Sequence, residues 1–171
     1  MKPWIYLAGF VGAAAIGHAA VVLGTPYLIT GVVMNRMSQH GQVVNRFQFG
    51  SRTTEASRQV VRPSPDLVYS SCVFDLSKGP VRVVSKPWGD YMSISVFQAN
   101  GDNIYAVNDR EAPRGVDFVL AKPGQGVASG AAVILSPSDR GIILDRRLAP
   151  TAERFAIADQ VRRSDLCAAI P

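Results

Sequence analysis

Tyr91-Met92-Ser93-Ile94-Ser95-Val96-Phe97-Gln98, the turn Ala99-Asn100-Gly101-Asp102, and Asn103-Ile104-Tyr105-Ala106-Val107 form the stretch on which the fold turns. Met92, Ile94 and Val96 alternate with Ser93 and Ser95, the pattern of a half-buried strand, because successive side chains point to opposite faces. Asn100-Gly101 predicts a type I′ hairpin, which needs positive φ at both central residues. The same punctuation extends outward in both directions. Short runs rich in Val, Ile, Tyr and Phe occupy 67–76, 81–85, 116–120, 131–135 and 142–148, separated by turns such as Ser77-Lys78-Gly79-Pro80 and Lys122-Pro123-Gly124. With the hairpin this predicts about seven strands. Ala149-Pro150-Thr151 then supplies a breaker and a cap for a closing helix, with Glu153 at its positive end and Arg162 and Arg163 near its other end. The predicted fold is mainly β in an α+β sense: a small antiparallel sheet or sandwich with one C-terminal helix.

Ahead of this lies a different kind of sequence. Trp4 to Met34 contains no charged residue. A helix rising about 1.5 Å per residue needs about 20 apolar residues to cross a hydrocarbon core of about 30 Å. The run predicts a transmembrane helix at 4–24, broken at Gly24-Thr25-Pro26 and followed by a second short apolar helix or turn at 26–36. Trp4 and Tyr6 suit the headgroup zone. Gly9, Ala13 and Gly17 recur at four-residue spacing and would let a partner helix approach closely. A cleaved export signal, cut after Gly17-His18-Ala19, is the rival reading, but the apolar run continues well past Ala19. The chain therefore divides into an anchor with its short apolar extension (1–34), an arginine-rich juxtamembrane connector (35–62) and a β-rich domain (63–171).

Charge has an address here. Of the net +5, most sits in the connector, where Arg36, Arg46, Arg52, Arg58 and Arg62 face a single acid, Glu55; from Pro63 onward acids and bases balance. That distribution excludes a basic nucleic-acid-binding domain. The connector arginines either touch anionic lipid headgroups or form a solvated linker. Counted by the positive-inside rule, they favour a cytoplasmic domain, although long following domains translocate largely regardless of charge.

A search for reactive constellations comes back nearly empty. Gly126-Val127-Ala128-Ser129-Gly130 has its serine one place late for a nucleophile elbow, and Pro123-Gly124-Gln125-Gly126 lacks the Lys-Ser/Thr of a phosphate loop. His18, His40, Cys72 and Cys167 show no metal-ligand spacing. Neither a metal nor a cofactor is expected, and an enzymatic role less so than a binding one. Cys72 lies mid-strand and Cys167 after the closing helix. They are either two buried thiols or a disulfide that staples that helix to the sheet, and a disulfide requires an oxidising compartment.

Pro65-Asp66-Leu67-Val68-Tyr69-Ser70, Phe74-Asp75-Leu76-Ser77-Lys78-Gly79-Pro80-Val81 and Gly101-Asp102-Asn103-Ile104-Tyr105 with Asn108-Asp109-Arg110 resemble the bacterial Domain of Unknown Function 1254 family in its short, membrane-anchored form. The resemblance covers 63–167. Ser64 and Leu67 depart from it, since longer members tend to carry Asn and Thr there. It implies export, a cysteine at the place of Cys72 and so a Cys72–Cys167 disulfide, and a periplasmic domain. It also implies a separately encoded, membrane-anchored partner of the related 1214 family. No catalytic residue carries over. The expected function is a non-enzymatic accessory or assembly subunit of the inner membrane, in contact with lipid and a membrane protein partner. The alternative is a cell-envelope ligand-binding protein or enzyme with Asp66, Tyr69 and Arg110 converging on a pocket.

Overall fold

A computed structural model describes residues 3–54, 57, 63–127 and 130–170. Among the described residues two helices and nine strands follow in the order α1 (Pro3–Met37), β1 (Gln48–Phe49), β2 (Leu67–Asp75), β3 (Val81–Ser85), β4 (Met92–Gln98), β5 (Asn103–Asn108), β6 (Val116–Ala121), β7 (Ala132–Leu135), β8 (Arg140–Leu148), α2 (Ala152–Arg162) and β9 (Leu166–Ala169). They build two sheets, a five-stranded one in the order β1-β2-β8-β4-β5 and a four-stranded one in the order β7-β6-β3-β9. Cys72, Phe74, Ile94, Val96 and Ile143 from the first interdigitate with Val81, Val83, Phe118, Leu120 and Cys167 from the second. The chain is thus a β-sandwich with a helix at its N-terminus and another near its C-terminus. All pairings are antiparallel except β6 with β7, which run parallel, so the sandwich is mixed at one edge.

The hairpin forms where the sequence places it, with a different turn. Gly101 has φ +86 and Asn100 is not among the positive-φ residues. One left-handed glycine is enough, because Gly101 N–H donates to Gln98 O at 2.9 Å and a register shift at Val96/Phe97 absorbs the extra residue.

The predicted break at Pro26 is absent. α1 is one helix of 35 residues with Pro26 inside it. The proline removes the one N–H that would have reached Val22 O; the Thr25 hydroxyl adds a bond one turn back, to Val21 O at 2.6 Å. In apolar surroundings a single missing N–H is tolerated and the helix runs through proline. It ends where Gln39, His40 and Gly41 turn left-handed (φ 51, 60 and 85). Pro3–Met37 is long and apolar enough to cross a membrane. At about 1.5 Å per residue it measures about 52 Å, well beyond a hydrocarbon core of about 30 Å. The surplus is used at its C-terminal end. Thr30 and Met34 are buried, Met34 packing on Val73 of β2 and Ile142 of β8. Gly101 lies against Thr30, and Gln48 donates to the carbonyl of Met37. The last turns therefore cross the outer face of the five-stranded sheet, from the β4–β5 turn over β8 and β2 to β1.

The connector contributes more than a drape. Phe47 is buried in the sandwich core and Gln48–Phe49 pairs with Ser70–Ser71 of β2. Arg36 and Arg46 are exposed, Arg52 donates to Pro150 O, and Arg58 and Arg62 lie outside the described residues.

Candidate functional site

Strand β8 reads Arg140-Gly141-Ile142-Ile143-Leu144-Asp145-Arg146-Arg147-Leu148. Ile143 faces the core, so alternation sends Asp145 and Arg147 inward too. Arg147 is fully buried and Asp145 is 1% exposed. Arg147 Nε donates to Asp145 Oδ2 at 3.1 Å, while Nη2 donates to Asp165 Oδ2 at 2.5 Å and to Ser85 Oγ at 2.9 Å. One guanidinium thus joins the two sheets and the segment after α2. Ser70 Oγ, 3.4 Å from Asp145 Oδ2, continues the network to Arg162, which is also fully buried. Arg162 donates to Asp159 Oδ1 at 2.9 Å, to Tyr69 O at 2.7 Å and to Gly50 O at 2.5 Å, and its guanidinium lies over the rings of Phe49 and Phe155.

The electrostatics follow from dehydration. Burial pushes the Asp145 carboxyl up to about 6; Arg147 opposes this and nearby Asp165 adds to it. Burial raises Asp165 as well, against the Lys86 N–H and Arg147. Burial also lowers Arg162, with Asp159 opposing. Asp145 Oδ1 and Arg147 Nη1 are buried without a partner. Such a cluster can take up a proton and can lock the sheets together. Asp145, Arg147 and Arg162 are sealed from solvent and Asp159 is the partly exposed edge of the cluster, so the buried charges offer a substrate no approach.

Of the three residues expected to converge, Arg110 stands apart from Asp66 and Tyr69. Asp66 is exposed and its carbonyl accepts from Ala149 N–H. Tyr69 lies on β2 with its hydroxyl accepting from Ser64 N–H at 2.9 Å. Arg110 is exposed in the turn after β5, its N–H donating to Asn108 Oδ1. β2 and β5 are three strands apart, about 14 Å at the usual inter-strand spacing. Asp75 and Asn108, polar residues of the family-like segments, shape turns: Asp75 accepts from Ser77 N–H, and Asn108 from Arg110 and Glu111 N–H.

Two other places could have held a ligand. A cleft of about 520 Å³ on the four-stranded sheet is lined by Arg82, Asp117, Gly130, Ala131 and Ala132, but Arg82 and Asp117 neutralise each other across two hydrogen bonds of 3.0 and 2.7 Å. On the outer face of the five-stranded sheet, register aligns Tyr69, Arg146, Ser93 and Asn108 in one row and Ser71, Leu144, Ser95 and Ala106 in the next. Among the described residues no three His, Cys, Asp or Glu side chains gather to hold a metal ion.

Cys72 and Cys167 form a disulfide. Cys167 sits on β9, which pairs with β3, so the bridge staples sheet to sheet; the expected staple between helix and sheet is corrected by the extra strand. Gly9, Ala13 and Gly17 all lie on the exposed part of α1, and nothing packs against the two glycines.

No curated protein matches the chain. Among solved structures, the VPA0106 protein from Vibrio parahaemolyticus superimposes with a TM-score of 0.70 at 16% identity, over 88% of this chain and 37% of its own. An uncharacterised protein from Burkholderia cenocepacia gives a TM-score of 0.47 at 18% identity, over 67% and 34%. The chain thus spans little more than a third of the length of either, and the first likeness establishes a shared fold. The family described as "Protein of unknown function (DUF1254)" matches residues 44–167, which takes in the connector strand, both sheets and the disulfide, and the chain belongs to that family.

Proposed function

We propose that this chain is a single-pass inner-membrane protein whose sandwich domain lies in the periplasm and acts, without chemistry of its own, as an accessory or assembly subunit for a membrane-anchored protein partner. One observation carries the reading: α1 leaves Pro3–Ile29 uncovered by the domain while its last turns are packed into the sheet. A helix built this way holds the domain close against a bilayer in a set orientation. Aromatic rings support the placement, since Tyr6 and Tyr27 lie about 32 Å apart along the helix, near the thickness of the hydrocarbon core. The Cys72–Cys167 disulfide supports an oxidising compartment. The buried ionic cluster supports a quiet, rigid module, because most of its polar groups are spent on one another.

The Vibrio structure has nearly two-thirds of its chain outside the matched part. The resemblance noted above implies that a membrane-anchored partner of the related 1214 family takes that place beside this chain. The partner reading is tested by extracting the tagged full-length chain from membranes of its own host in mild detergent. A stoichiometric membrane-anchored companion is expected. A monodisperse monomer would refute it.

A further inference from the structure

The outer face of the five-stranded sheet is only partly covered by α1. Beyond the α1 contact on Val73 and Ile142, the next two rows of outward side chains carry one charge, Arg146. This arginine is half-buried and, among the described residues, has no carboxylate partner and bonds only Ser95 Oγ, at 2.5 Å. Its Nε and the neighbouring Ser93 Oγ are buried and unpartnered. Ser93 is itself 7% exposed. A desolvated guanidinium amid small neutral residues is the composition of an interface centre, where Arg and Tyr are enriched and Lys, Glu and Asp depleted. Ser71 and Ala106 leave a low floor beside it.

Geometry says what fits there. Helices packed side by side lie about 8–10 Å apart, and a strand rises about 3.4 Å per residue. A second helix emerging from the bilayer beside α1 therefore lands about three residues along β2 and β8, between the row of Ser71 and the row of Tyr69. We propose that this face, centred on Arg146, seats the juxtamembrane helix of the membrane-anchored partner, and that a carboxylate on that helix pairs with Arg146. A second copy of this chain does not fit, because α1 carries no Asp or Glu. The proposal rests on the partner reading above and names its surface.

The test uses the full-length chain, its membrane partner recovered as above, and a photo-crosslinking residue at Ala106 or, as control, at Val133 on the other sheet. Crosslinks from position 106 to a helix flanking the partner's membrane span are expected, with none from 133. Arg146→Glu should lower partner recovery at least tenfold while Arg146→Lys retains part of it, both with the disulfide intact. Should Arg146→Glu fold poorly, Ala106→Trp blocks the same floor from an exposed position and should give the same loss. Undiminished recovery with Arg146→Glu or Ala106→Trp, or crosslinks from 133 alone, would overturn the surface and leave the partner reading standing. Absence of any companion of the unaltered chain would overturn both.

Discussion

Asp145 has to exist as a carboxyl with almost no water, and its solution is to share one guanidinium with Asp165. The folded protein holds a proton on Asp145 up to about pH 6, whereas the unfolded chain releases it near the ordinary value of 3.8. Between those limits the native state binds more protons, so stability falls as pH rises from about 4 to about 6. Asp75, Asp117 and Asp159 work the other way. Their folded values are lowered, Asp117 by Arg82, and Asp159 by Arg162 and Arg163 against its own burial, so what they contribute is lost as pH falls below the ordinary carboxylate range. Denaturant unfolding followed across pH should therefore show greatest stability on the mildly acidic side, and Asp145→Asn should flatten the decline between pH 4 and 6. Arg147→Met should cost about 3–5 kcal/mol, because it leaves two buried carboxyls without their cation. Part of this site was legible. Once 142–148 is read as a strand, either Arg146 or the pair Asp145 and Arg147 must face the core. Which one does depends on the pairing of β8 between β2 and β4, and Arg162 at the end of α2 and Asp165 just past it carry no periodic mark. Arg162 reads from the sequence as an ordinary charge at a helix end. It is buried because Tyr69 O and Gly50 O reach its guanidinium.

At the scale of elements, β8 is the most constrained strand. A Cβ on Gly141 would lie 2.0 Å from Phe97 O and 2.6 Å from the Phe74 ring, so neighbouring backbone would have to move. Gly141→Ala is expected to lower the thermal midpoint by more than 10 °C, or prevent folding, as read by circular dichroism. The docked end of α1 is a second test. Met34→Ala removes the side chain that packs on Val73 and Ile142, at about 2–5 kcal/mol for such a truncation. Tryptic cleavage after Arg36 and Arg46 should accelerate, and unchanged cleavage would mean that the helix end is not held by this contact. Seven of the nine strands were readable from alternation between Gly, Pro, Asn and Asp turns. β1 and β9 were not, since two and four residues are too short to show a period and each exists only by pairing with a longer neighbour. The unbroken helix at Pro26 is not legible for a related reason: proline costs one N–H of the ladder, and whether the helix runs on depends on its surroundings rather than on the local sequence.

At the scale of the whole molecule, three devices hold one arrangement: the core between the sheets, the ionic cluster at its side and the disulfide across it. Closing a loop of 95 residues contributes about 4–5 kcal/mol by loop entropy, as an upper figure. The Cys72→Ser, Cys167→Ser double variant should lose stability of that order in denaturant titration, with the same far-ultraviolet spectrum. The most direct measurement is the intact mass of the chain taken from the membrane fraction of its host, with free thiols alkylated before any reductant is added. The account predicts an uncut leader, no alkyl adduct, and a mass lighter than the reduced chain by the two thiol hydrogens. A trimmed chain in the soluble fraction, or one alkylated at both Cys72 and Cys167, would contradict it.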